Sequence, residues 1–88
     1  MQGSAGNEPY LSPIQLERRF RGAHKDYEIR EMARRSENPI PHIELGGKRR
    51  HIGIRESVYA LFLDYEEGLI TYDEVVEGAR RRVAGARA

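Results

Sequence analysis

Two prolines a single residue apart, Pro39 and Pro41, split the chain into parts with different periodicity. Proline lacks a backbone N–H, locks φ near −65° and pushes the residue before it into extended space, so no helix runs through Asn38-Pro39-Ile40-Pro41. Upstream, apolar residues recur at helical spacing: Leu16 and Phe20 one turn apart, then Ile29, Met32 and Ala33. Immediately downstream, HIELGGKRRHIGI alternates with period two around Gly46-Gly47, as a hairpin does. Helical spacing then returns. The chain has 88 residues, enough for one domain. Helices, hairpin and helices in that order predict an α+β fold, mostly helical.

Local signals set the expected boundaries. Residues 1–9 have no periodicity and read as a flexible tail. In Leu11-Ser12-Pro13-Ile14-Gln15, Ser12 caps a first helix, Pro13 suits its first position and Gln15 completes a capping box. Gly22 ends that helix. Asp26 caps a second over 27–36, with Ile29, Met32 and Ala33 turned inward and Tyr27, Arg30, Glu31 and Arg34 outward. With Gly47-Lys48 as a two-residue turn, Leu45 faces Arg50 and Ile43 faces Ile52. That register puts Ile43, Leu45, Ile52 and Ile54 on the buried side and makes Glu44 and His51 an exposed cross-strand pair. A third helix covers 55–67, with Val58, Leu61, Phe62 and Tyr65 as its core stripe, and Gly68 stops it. Thr71 and Glu74 box the start of a fourth helix over 71–84, with Ile70 and Val75 as a hydrophobic staple. Tyr72, Val75, Val76, Ala79 and Val83 line one of its faces. The domain is expected over 10–84, with 85–88 as a short tail.

Net charge is only +1, but it is segmented. Residues 17–35 carry seven basic and four acidic side chains. Residues 38–55 carry Lys48, Arg49, Arg50 and Arg55 against Glu44. Residues 56–79 carry seven acids and neither Lys nor Arg, and 80–88 carry four Arg. A polyanion would meet the first half of the chain and avoid residues 56–79.

Other chemistry is poorly represented. With no cysteine there is no disulfide or thiolate metal site. His42, Glu44 and His51 lack a fourth ligand, so no metal site is expected. No nucleophile–base pair, phosphate-cradling glycine loop or carboxylate dyad stands out, which argues against an enzyme, a cofactor and a small-molecule substrate. No apolar run approaches the ~20 residues of a membrane span. The segment MQGSAGNEP lacks the basic and apolar regions of a signal peptide, so a cytoplasmic location without membrane association is expected.

From Asn38 to Gly68, NPIPHIELGGKRRHIGIRESVYALFLDYEEG resembles the excisionase-like and MerR-like winged helix-turn-helix domains of phages and mobile elements. The likeness rests on the proline connector, on Ile43 through Ile52 as an "I-x-x-G-G-x-R-R-x-I" wing, and on Arg55-Glu56-Ser57 as a helix opening. LSPIQLERRF fits the family's first helix. The resemblance spans residues 10–67, leaving 71–84 as an added helix. It implies a winged helix-turn-helix that binds double-stranded DNA, with the second helix in the major groove and the wing on an adjacent minor groove or backbone. The role would be an excisionase-like recombination directionality factor or a small transcription regulator. On this reading Tyr27, Arg30, Arg34 and Arg35 serve the recognition helix, and Lys48, Arg49 and Arg50 neutralise phosphates at the wing tip. Arg18, Arg19, Arg21 and Lys25 brace the flanking backbone, positioning rather than specifying. The competing expectation is a protein-interaction module that keeps the fold and uses helix 71–84 to dock an integrase-type recombinase or a second copy.

Overall fold

The computed structural model describes residues 8–45 and 51–87, with side chains described as far as Arg81. Its elements run β1 (Tyr10–Leu11), α1 (Pro13–Arg19), α2 (Asp26–Arg34), β2 (Ile43–Leu45), β3 (His51–Arg55), α3 (Glu56–Glu66) and α4 (Tyr72–Arg87). The three strands form one antiparallel sheet in the order β1-β3-β2, so the fold is α+β with four helices.

The α1 capping box forms as its sequence dictates. The Gln15 amide donates to Ser12 Oγ, and the Ser12 amide donates to Gln15 Oε1. Helix α2 starts one residue earlier than expected and ends at Arg34. Lys25, not Asp26, is its N-cap residue, and two carboxylates do the capping. Glu28 Oε1 accepts the Lys25 amide at 2.7 Å, and Glu17 Oε1, reaching across from α1, accepts the Asp26 amide at 2.8 Å. Glu17 therefore ties the two helices together through a donor that α2 would otherwise leave unsatisfied. Gly22 sits in the turn between them with φ of +86°, a conformation that favours glycine.

The hairpin corrects the expected register. Ile43 pairs with Gly53, Glu44 with Ile52, and Leu45 with His51. The expected pairs are each offset by one residue, because five residues (46–50) rather than four separate the strands. A slip of one exchanges the faces of a strand. Ile52 and Ile54 stay buried, but Ile43 is only half-buried and Leu45 is 44% exposed. Glu44 does not face His51. It stands on the inner side with Ile52, where helix α2 can reach it.

The first strand was not anticipated. Tyr10 pairs with Arg55 and Leu11 with Ile54, so the sheet has three strands where the sequence indicated a two-strand hairpin. Tyr10 lies across Gly53. A side-chain carbon added there would fall 2.9 Å from Tyr10 Cβ and 3.4 Å from Ile43 Cγ1, so the glycine makes room for the strand. The Arg55 guanidinium stacks on the Tyr10 ring at 4.9 Å. Nor do residues 8–9 belong to a tail: Glu8 accepts the Ser57 amide at 2.8 Å and the Ser57 hydroxyl at 2.6 Å, capping the start of α3.

All four helices and the sheet share one core. Leu11, Leu16, Ile29, Ala33, Ile40, Ile52, Ile54, Tyr59, Phe62 and Val75 form it. Helix α3 buries Val58, Tyr59 and Phe62, with Leu61 and Tyr65 at its margin. Gly68, at φ +79°, stops it. Helix α4 opens on the expected box, the Thr71 amide donating to Glu74 Oε1 and the Glu74 amide to Thr71 Oγ1. It is less of an appendage than its position suggests. Val75 is fully buried, and Tyr72 donates its hydroxyl to the carbonyl of Pro39 in the proline connector. That connector is held from several sides: Ile40 is in the core with its amide on the Met32 carbonyl, and the Asn38 side chain donates to the Tyr65 hydroxyl. No described helix is long and apolar enough to cross a membrane.

Candidate nucleic-acid interface

The outward face of α2 is built by its helical spacing. Tyr27, Arg30 and Arg34 lie at i, i+3 and i+7, opposite the buried Ile29 and Ala33. Tyr27 is 59% exposed, a large ring with little of its surface buried. Arg30 Nη1 pairs with Asp26 Oδ2 at 2.6 Å along the same face. This hydrogen bond, with the attraction of the guanidinium, outweighs partial burial and holds the Asp26 carboxyl below its ordinary value. The pair keeps the Arg30 guanidinium lying along the helix.

Arg34, at the last turn of α2, reaches the hairpin. Its Nη2 lies 3.4 Å from Glu44 Oε1, and the other carboxylate oxygen of Glu44 lies 3.2 Å from His42 Nε2. His42 Nδ1 sits 2.8 Å from the Ile40 carbonyl. Both ring nitrogens of His42 thus face oxygen atoms. Burial tends to raise the Glu44 carboxyl, but the hydrogen bonds from His42 and Arg34 prevail and hold it below the ordinary carboxylate value.

The remaining expected contacts have four different outcomes. Arg35 leaves this face altogether. It caps the end of α2, donates through Nε and Nη2 to the Asn38 carbonyl at 3.2 and 3.0 Å, and stacks over the Phe62 ring at 5.4 Å. Its work is to brace the proline connector. Arg19 pairs with Glu56 Oε1 at 3.0 Å, joining α1 to α3. Arg18, Arg21 and Lys25 are exposed, and none of them has an acidic partner among the described residues. Arg21 and Lys25 flank an open pocket at the α1–α2 turn that Glu17, His24 and Glu28 also line. Lys48, Arg49 and Arg50, the expected wing tip, lie outside the described residues.

One polar constellation escaped the sequence reading. His24, in the turn before α2, receives the Tyr59 hydroxyl at Nδ1 (2.9 Å) and places Nε2 3.0 Å from Glu66 Oε1. Tyr59 is fully buried, with Phe20 edge-on at 4.9 Å. Burial, reinforced by the negative charges of Glu66 and Glu28, pushes its hydroxyl up to about 12. A tyrosine on an apolar helix face needs a partner for its hydroxyl, and that need was the only signal of this contact in the sequence. Among the described residues no cluster of three or more His, Asp or Glu side chains can hold a metal ion.

The arrangement offers anion contacts and a groove-sized helix face. Set against family models, curated proteins and solved structures, the chain finds no match in any of the three comparisons.

Proposed function

We propose that this domain binds double-stranded DNA as a winged helix-turn-helix, in the manner of an excisionase-like recombination directionality factor or a small transcription regulator. Helix α2 is the recognition helix, and the hairpin over 42–54 is the wing. The observation that carries this reading is the pairing of a solvent-facing Tyr27–Arg30–Arg34 row with a rigid mount. Glu17 ties α2 to α1, and Arg35 ties its other end to the proline connector. A major groove accepts one α-helix, and arginine is the side chain best matched to guanine edges. Arg18, Arg21 and Lys25 flank that row and suit phosphates. Lys48, Arg49 and Arg50 add the wing's share of charge.

Tyr72 and Val75 of α4 are already used inside the chain's own core, which weighs against the partner-docking alternative. The test is fluorescence anisotropy of a labelled mixed-sequence duplex at several salt concentrations. Binding is expected to weaken steeply with salt, each neutralised phosphate contributing ~0.9 to the log–log slope. The double reversal Arg49→Glu with Arg50→Glu should remove most of the affinity. An unchanged affinity would rule out the wing contact. Absence of binding at the lowest salt would rule out the DNA reading.

A further inference from the structure

The molecule carries a carboxylate in an unexpected place for a surface that meets a polyanion. Glu44 stands on β2 beside the last turn of α2, 54% exposed, and both its oxygens have partners, the Arg34 guanidinium at 3.4 Å and the His42 ring at 3.2 Å. We propose that Glu44 is a specificity-determining residue that withholds Arg34 from indiscriminate phosphate contact. The proposal rests on the reading of α2 as a DNA-recognition helix.

The chemistry is a competition for one guanidinium. A carboxylate and a phosphodiester both present oxygens to arginine in the same fork geometry. While Glu44 holds Arg34, a phosphate approaching that guanidinium also meets the carboxylate and is repelled. The Arg34–Glu44 pair is half-exposed on both sides, and such pairs hold weakly. It can therefore be opened by a better partner. A base edge is one: guanine O6 and N7 satisfy arginine in a bidentate way, and the freed Glu44 can accept from a cytosine amino group. A phosphate offers Glu44 nothing. The carboxylate thus lowers affinity for arbitrary duplex more than affinity for a site presenting the right edge, which is specificity through a repulsive element. His42 borders the carboxylate on the other side. Its ring lies between the Ile40 carbonyl, 2.8 Å from Nδ1, and Glu44 Oε2, 3.2 Å from Nε2, so it flanks Glu44 independently of Arg34.

The test is a cycle of four proteins: wild type, Glu44→Gln, Arg34→Gln and the double variant. Each is titrated into a mixed-sequence duplex of about 20 bp, two helical turns. Glutamine keeps the shape of Glu44 and removes its charge. The expected result is tighter binding by Glu44→Gln and a salt slope steeper by ~0.9, the value of one added phosphate contact. Between about 50 and 200 mM salt its affinity should fall roughly 3.5-fold more than that of wild type. In the Arg34→Gln background the same change should give neither effect. Equal gains in both backgrounds would overturn the proposal, since Glu44 would then act only as a general negative charge. No gain in either background, with wild type binding normally, would overturn it too while leaving the DNA reading intact. If none of the four proteins binds at the lowest salt, the DNA reading fails and the proposal falls with it. Urea denaturation of each variant checks the fold, and an exposed Glu-to-Gln change should leave the midpoint near that of wild type.

Discussion

His24 and Tyr59 are joined by a 2.9 Å hydrogen bond between the α1–α2 turn and the buried face of α3, across 35 residues of sequence. The bond fixes the turn from beneath. With Nε2–H directed at Glu66, His24 Nδ1 is left as an acceptor, and the Tyr59 hydroxyl fills that role. Replacing Tyr59 with Phe keeps the ring and removes the donor, so the expected loss is about 1 kcal/mol. Replacing it with Ala empties a fully buried site and should cost about 3–5 kcal/mol. Urea unfolding of the two variants separates hydroxyl from ring. A Phe variant as stable as wild type would show that the bond adds nothing.

The same tyrosine predicts an alkaline limit. Its hydroxyl titrates near 10 in an unfolded chain and is pushed up to about 12 in the fold, so the fold favours the neutral form. This contribution is complete below pH ~10 and declines as pH rises toward ~12. Stability should therefore fall over that window in the wild type and fall less in Tyr59→Phe. Denaturant midpoints at neutral pH and at about pH 11 measure the difference.

Gly53 should tolerate no side chain. Its neighbour at 2.9 Å is Tyr10 Cβ, an atom next to the backbone that cannot swing aside. Gly53→Ala is expected to force β1 from β3 and cost about 1–3 kcal/mol. Amide exchange should report the damage first at Leu11 and Ile54, the pair beside it.

Tyr27 is expected to separate binding from folding. It is 59% exposed, so Tyr27→Ala should change stability by less than about 0.5 kcal/mol. If α2 enters a groove, duplex affinity should nevertheless fall about 5- to 10-fold, on the order of 1 kcal/mol of lost contact. Thermal melting and anisotropy on the same preparation provide both readings.

Features carried by neighbouring residues were legible in the sequence. Ser12 with Gln15, Thr71 with Glu74, and Gly68 at the end of α3 all act where their spacing placed them. The exposed row of α2 was legible for the same reason, since it follows from helical period alone. What the sequence hid depends on residues far apart or on a single count. The hairpin register turned on the length of one turn, and an error of one moved Glu44 from the outer face to the inner one. A two-residue strand is too short to alternate, so Tyr10–Leu11 left no pattern. Its trace was Gly53, the vacancy that admits it. Tyr59 lies one residue along from the stripe begun by Val58, turned toward the α1–α2 turn. Arg35 looked like the end of a basic helix face, and only the Asn38 carbonyl and the Phe62 ring reveal its other role.

The order in which this chain is synthesised runs against the order in which it closes. Glu8 and β1 leave the ribosome well before their partners: the partner of Glu8 is Ser57, 49 residues later, and β1 pairs with β3. At 5–20 residues per second that delay is about 2–10 s. Until then α1 and α2 have neither Tyr59 nor Phe62 to pack against, so the nascent first half is held by little beyond its own caps. A message truncated before α3 should yield no partial domain, because β3 and the helix after it complete what Glu8 and β1 begin.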